Sequence, residues 1–269
     1  MRGKGSNLFP ALIKHWRTRR GLSQLDLALA ADVSSRHVSF LETGRAQPSR
    51  EMILRLSSAL SVPLRDQNAL LHAAGFPDAF EELDVDHGLS GTIGAVLDRM
   101  LAQQEPYPMV VVNRRYDVLR TNRGAAGLLG RMIAEPAALG APVNAFRIVF
   151  DPRLARPFIL DWERLAASLL ARLHRESLER PADGELASLL RSLFEYEGVP
   201  RGCQEPDLSL PSEPCLTIHL RRDDLELAFL TTVTIFSAPQ NVTLDELRIE
   251  SYFPLDDATR RACERLAAG

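Results

Sequence analysis

Residues 23–45, SQLDLALAADVSSRHVSFLETGR, constrain the fold more than any other stretch of the chain. They read as two short helices joined by a tight turn. Ala28 is small where two helices must approach closely. Val38 and Leu41 recur at helical spacing, as the second helix needs to pack back onto the first, and Val33 plugs the turn. The turn position usually held by Gly is Asp32. Aspartate is among the few non-glycine residues that tolerate a positive φ, so the turn remains feasible.

The flanking residues extend the pair to a five-helix unit. A first helix from about Leu8 to Arg20 stops at Gly21. Ser23 and Asp26 form a capping box for the second. Ser34 caps the third, which Gly44 ends, and Ser49 caps a fourth carrying Ile53, Leu56 and Leu60 at helical spacing. Pro63 suits the first turn of a fifth helix that closes at Gly75. Charge divides along the same line. Residues 1–80 carry 11 Lys and Arg against 6 Asp and Glu, whereas the remainder carries 21 against 29. A basic small unit followed by an acidic large one is the asymmetry expected when only the first meets phosphate, although chance surface composition would also produce it.

In a two-helix arrangement of this kind the second helix presents its N-terminal residues to base edges while the first crosses the phosphate backbone. Ser34, Ser35, Arg36 and Ser39 occupy the exposed face of its first two turns. Arg36 is the only long donor among them and the candidate for direct readout, with a phosphate contact as the alternative. Gln24 sits where its amide and a helix N-terminus can meet a phosphate, and Arg45 and Arg50 are further phosphate candidates. His37 and Phe40 read as bracing residues.

These residues resemble the repressor-type helix-turn-helix of phage regulators and of the xenobiotic-response-element (XRE) family. The resemblance implies a pair between an Arg late in the first helix and a Glu ending the third, here Arg17 and Glu42. Residues 34–76, SSRHVSFLETGRAQPSREMILRLSSALSVPLRDQNALLHAAGF, are similar to the MmyB-like subgroup.

The chain is long enough for a second domain with its own core. We expect residues 1–77 to form the helix-turn-helix domain, 78–92 a linker and 93–269 the second domain. Ile93, Val96, Leu97, Met100 and Leu101 make a helical stripe that caps the second domain or carries a signal to it. Met109–Asn113 and Tyr116–Thr121 read as a hairpin. Helices are expected near Asn122–Leu129, Asp161–Leu178 and Glu185–Tyr196, then a long loop over Gly198–Pro214. Strands follow at Cys215–Leu220, Leu225–Phe236 and Leu247–Phe253. Five strands in a two-plus-three order with intervening helices fit a PAS-like α+β domain with an antiparallel sheet, behind an all-α, λ-repressor-like five-helix domain.

The MmyB-like resemblance continues in YPMVVVNRRYDVLRTN (107–122), APVNAFRIVF (141–150) and NVTLDELRIESYFPLDDAT (241–259). It implies a PAS-like sensor that accepts apolar ligands of the fatty-acid kind. The residues themselves say less. Phe146, Phe150, Phe158, Leu160, Trp162, Phe229 and Phe236 can line an apolar cavity or simply fill a core, and Asn113, Asn122 and Arg147 are candidate polar anchors. Asn122 serves equally well as a helix cap.

Other chemistries find little footing. The six His residues lie apart, and no H-E-x-x-H, G-x-S-x-G, Walker or G-x-G-x-x-G motif occurs, so neither an enzyme, a metal site nor a cofactor is expected. Asp223–Asp224 and Asp256–Asp257 read as turn or cap residues, and nothing positions Ser212 with His219. Cys203, Cys215 and Cys263 are odd in number and widely spaced, as reduced structural thiols are. No apolar run approaches the roughly 20 residues of a membrane helix, and no apolar signal-peptide core precedes the first helix, so a cytoplasmic location is expected. The expected partners are an operator in double-stranded DNA, a second copy of the chain and a small apolar or amphipathic effector. The alternative is a second domain that recruits a protein and binds no small molecule.

Overall fold

The computed structural model describes residues 8–83, 91–179, 184–204, 215–237, 239 and 241–268. The chain divides into two compact units. One comprises the N-terminal helices together with residues 237–245, and the other the remainder of the chain from residue 85 onward.

The helical unit contains α1 (Leu8–Arg19), α2 (Gln24–Ala30), α3 (Ser35–Glu42), α4 (Arg50–Ala59) and α5 (Leu64–Ala73). Its start signals act as local chemistry dictates. The Ser23 hydroxyl accepts from the Asp26 amide at 3.1 Å, and the Asp26 carboxylate returns the bond to the Ser23 amide at 2.8 Å. Ser34 and Ser49 accept from the His37 and Met52 amides. Each such cap contributes about 1 kcal/mol. Asp32 adopts the left-handed conformation at φ +51°, and the next amide, that of Val33, returns to the Ala28 carbonyl at 2.9 Å. Phe9, Ile13, Trp16, Leu27, Val38, Leu41, Ile53, Leu56, Leu70 and Leu71 are all buried in one core. At about 1.5–3 kcal/mol for each large side chain removed from water, this core and not helix propensity holds the short helices. Arg20 fastens the end of α1 by donating to the carbonyls of Leu60 and Ser61.

The second unit is built on a five-stranded antiparallel sheet in the order β2-β1-β5-β4-β3. Its strands are β1 (Met109–Val112), β2 (Val118–Thr121), β3 (Leu216–Arg222), β4 (Leu225–Thr234) and β5 (Arg248–Pro254). The helices are α6 (Gly91–Gln104), α7 (Arg123–Met132), α8 (Ala145–Phe150), α9 (Trp162–Glu179), α10 (Gly184–Leu193) and α12 (Asp257–Ala268); α11 (Val242–Glu246) lies in the β4–β5 connection. Strand alternation sorts the side chains between two faces. Val112, Leu220, Leu227 and Phe229 share a buried cluster with Phe146 and Phe150 of α8, Leu165, Leu170 and Leu173 of α9 and Leu186, Leu190 and Leu193 of α10. Met109, Val111 and Ile249 point the other way and are buried. There α6 crosses the sheet, and Arg120 of β2 donates to the Gly94 carbonyl and the Asp98 carboxylate. Of the expected stripe on α6, Leu97 and Leu101 are buried, whereas Val96 is exposed.

Gly127 marks a close approach of α7 to α12, since a Cβ there would lie 2.4 Å from the Leu266 carbonyl oxygen. Asp256 caps α12 through the Thr259 amide. The linker residues 84–90 and the loop residues 205–214, Ser212 among them, lie outside the described residues. No helix among the described residues is long and apolar enough to cross a membrane.

Candidate DNA-binding face and effector domain

The DNA-binding candidates gather around α3. Ser34, Ser35 and Arg36 are exposed at its start and Ser39 is half-buried. The Arg36 guanidinium lies 5.2 Å from the Phe40 ring centroid, so Phe40 braces the arginine from one turn further along. Arg45 and Arg50 are exposed after α3. The Arg45 amide returns to the Phe40 carbonyl at 2.8 Å, which closes the helix with Gly44 at φ +71°.

Behind this face lies the pair implied for Arg17 and Glu42. Arg17 donates from Nε to Oε1 at 2.5 Å and from Nη2 to Oε2 at 3.0 Å, and its third nitrogen reaches the Leu22 carbonyl. The Glu42 side chain is only 2% exposed. Burial pushes its carboxyl up, but the hydrogen bonds from Arg17 and Gln24 outweigh that and hold it below the usual carboxylate range. The fork ties α1 to the end of α3, which sets how α3 is presented.

Gln24 is placed differently from its expected role. Its amide nitrogen donates to Glu42 Oε2 at 2.8 Å and is thereby engaged within the fold.

In the second unit the aromatic candidates are brought together as a packed stack. Tyr116 meets Phe146 edge-on at 4.5 Å, Phe146 stacks with Phe150 at 6.3 Å, and Phe150 meets Trp162 at 5.9 Å. Phe150 and Phe229 are fully buried. The Trp162 indole donates to the Val149 carbonyl, and Arg156 covers its ring at 3.7 Å. Leu160 is exposed, Phe236 is half-buried after the end of β4, and Phe158 lies beneath Arg222. Asn113 and Asn122 spend their hydrogen bonds on the fold. Asn113 Oδ1 accepts from the Arg115 and Asp117 amides. Asn122 accepts from Met109 and Ala125 and donates to the carbonyls of Leu101 and Tyr107, so it is a cap with no donor left over. That is a correction to its reading as a ligand anchor.

Arg147 is exposed on α8 and borders two concavities. The larger, about 330 Å³, also has Arg115, Asp117, Asn144, Glu185, Ser188 and Ser192 in its wall. A separate groove of about 410 Å³ runs along Trp162, Pro157 and Arg156.

Sequence patterns missed a charged cluster on the inner face of the sheet. The Tyr116 hydroxyl donates to Glu176 Oε1 at 2.7 Å, and Arg172 reaches the same oxygen at 3.3 Å. Arg172 lies 3.9 Å from Glu250, and Arg248 lies 3.9 Å from Glu176. Glu176 Oε2 is buried without a hydrogen bond among the described residues. Burial pushes the Glu250 carboxyl up against the pull of Arg172, and burial likewise raises the Tyr116 and Tyr252 phenols. Arg172 and Glu176 look like an ordinary i, i+4 pair in sequence; only the fold turns them inward.

Comparison with known proteins finds two family models along the chain. A helix-turn-helix family model matches residues 13–67, and that of the MmyB-like transcription regulator ligand binding domain matches residues 93–266. None of the curated proteins matches the chain. Among solved structures it is similar to one described as "Structure of an RNA-binding Light-Oxygen-Voltage Receptor", at 12% identity and a TM-score of 0.29, over 95% of this chain and 63% of that chain. With a DNA-binding helix-turn-helix ahead of a ligand-binding domain that takes up more than half its length, the chain belongs to the MmyB-like transcription regulators.

Proposed function

We propose that the protein binds a two-fold symmetric operator as a homodimer, through α3, and that a small amphipathic effector in the second unit changes its operator affinity. The observation that carries the reading is the start of α3: a capped, exposed helix end whose one long donor, Arg36, is braced by Phe40. One such helix covers only a few base pairs, and two related by a dyad read half-sites about 34–36 Å apart. Effector and operator are coupled only by the effector's differential affinity for the two states of the protein. The walls available support an amphipathic ligand. The aromatic stack is packed, and the cleft beside Arg147 mixes charged and polar side chains with apolar surface. For an effector with an apolar body and an anionic end, such as a fatty acid, Arg147 can meet the anionic end, and the separate groove along Trp162 is a further candidate for apolar contact.

The packed aromatic core also favours a second reading, in which this domain recruits a protein. Native mass spectrometry of the purified chain, followed by denaturing extraction, separates the two. A lipid-like adduct lost on denaturation supports the effector reading. A clean protein mass, together with no shift on adding a C12–C18 fatty-acid series, supports recruitment.

A further inference from the structure

The helical unit is not made from the N-terminal stretch alone. Residues 237–245, which run between β4 and β5, complete it. Val242 is 1% exposed, and its amide donates to the Glu81 carbonyl at 2.9 Å. The Thr243 hydroxyl accepts from the Leu83 amide at 3.0 Å and donates to the Leu83 carbonyl at 2.9 Å. Asp245 Oδ2 accepts from the Leu64 amide at 3.0 Å, across 181 positions of sequence.

The last bond repairs a local defect. Ser23, Ser34 and Ser49 cap their own helices, but the residue ahead of α5 is Pro63, which supplies no side-chain cap. The first amides of a helix need an acceptor, and a carboxylate there also meets the positive end of the helix dipole. Asp245 provides both from the far end of the chain. Its own element, α11, is fixed at its start by Asn241, which accepts from the Leu244 amide at 2.9 Å.

From Asp245 only Glu246 and Leu247 separate this cap from β5, the central strand of the sheet. The Arg248 and Glu250 side chains of β5 belong to the charged cluster with Arg172 and Glu176. At the other end, α5 packs on α1, and α1 carries Arg17, which holds Glu42 of α3.

We propose that the β4–β5 connection is the coupling element of this regulator. A displacement of β5 is delivered through two residues to the cap of α5, and from α5 through α1 to the pose of α3. The inference takes the effector reading as its setting, but its test needs neither effector nor DNA, so each can fail without the other.

The test is amide hydrogen exchange on the full chain, in a cycle of two perturbations. Leu227→Ala loosens the sheet core at a fully buried position. Asp245→Ala removes the cap, and Thr243→Val removes both Leu83 bonds at nearly constant volume. Asp245→Ala alone should speed exchange at Leu64 about fivefold, the loss of one cap. With the connection intact, Leu227→Ala should speed exchange across Leu64–Ala73 as well as in β3 and β4. In the Asp245→Ala, Thr243→Val background the α5 response should disappear while the strand response persists. Asp245→Asn, which keeps an acceptor, should restore it. Faster strands with an unchanged α5 in the otherwise wild-type chain overturn the proposal, as does an α5 response of equal size in both backgrounds. If Leu227→Ala does not fold, Phe229→Leu applies the same perturbation more gently, with the same outcomes.

Discussion

Removing the Arg17 guanidinium tests whether the presentation of α3 depends on a buried ion pair. In Arg17→Ala the Glu42 carboxylate stays in place, 2% exposed, with the Gln24 amide as its remaining side-chain donor. Breaking a buried pair from one side costs about 3–5 kcal/mol. The Gln24 bond puts this case at the low end, about 3 kcal/mol, or roughly 12–24 °C in the melting temperature of a unit this size. The pH dependence has a definite sign. Glu42 is held low in the folded protein, so the pair's contribution is complete above the unfolded carboxylate value of about 4.3 and fades as pH falls through the lower folded one. In Arg17→Ala, burial, the largest influence on this carboxyl, is opposed only by Gln24 and Lys14 and is expected to raise it above its unfolded value. The penalty is then full at neutral pH and relieved by protonation. The gap between wild type and variant should therefore narrow from pH 7 to pH 4. Trp16 and Trp162 are the chain's two tryptophans, and Trp16 is in the core of the helical unit. Urea titrations followed by fluorescence in a Trp162→Phe background report that unit. A gap below about 0.5 kcal/mol at pH 7, the scale of an exposed pair, or a gap that does not narrow on acidification would refute the reasoning.

Other expectations follow from named contacts. Arg36→Ala should lose about 1–3 kcal/mol of discrimination at one operator position, read by competition among single-base operator variants. Arg45→Ala should weaken all sequences equally and lower the slope of log affinity against log salt by about one. Gly127→Ala forces a Cβ toward the Leu266 carbonyl and should destabilise the second unit by about 1–3 kcal/mol in calorimetry. Burial pushes the Cys263 thiol up to about 11, so at pH 8 it should resist maleimide until the protein is unfolded.

What could be read from the sequence was what is encoded locally. Ser23, Ser34 and Ser49 act on amides three residues ahead, so their caps were legible, and so was the left-handed turn at Asp32. The hairpin showed as two β-rich runs about a polar turn, the three later strands as strand candidates, and their two-plus-three order fits the observed sheet. Helix α8 was missed, because six residues make less than two turns and show no period. Among the non-local bonds, the Arg17–Glu42 pair was implied only by the family resemblance, and those of Gln24 and Asp245 left no signal. Gln24 looks like an exposed helix-start residue until Glu42 engages its amide, and Asp245 looks like a loop acid until α5 arrives beside it. For the effector site the aromatic residues were identified but not their state. Whether Phe146 and Phe150 line a space or fill it depends on α9 and α10 closing over them, and spacing carries no information on that.

The central claim is that α3 reads a symmetric operator through Arg36. It is tested most directly by selecting bound duplexes from a random library with the full-length protein and with Arg36→Ala, at one fixed salt concentration. The wild type should enrich a palindrome with half-sites one helical turn apart, and the variant should retain that spacing while losing preference at one position in each half. Enrichment of no motif, or of the same motif by both proteins, would contradict it.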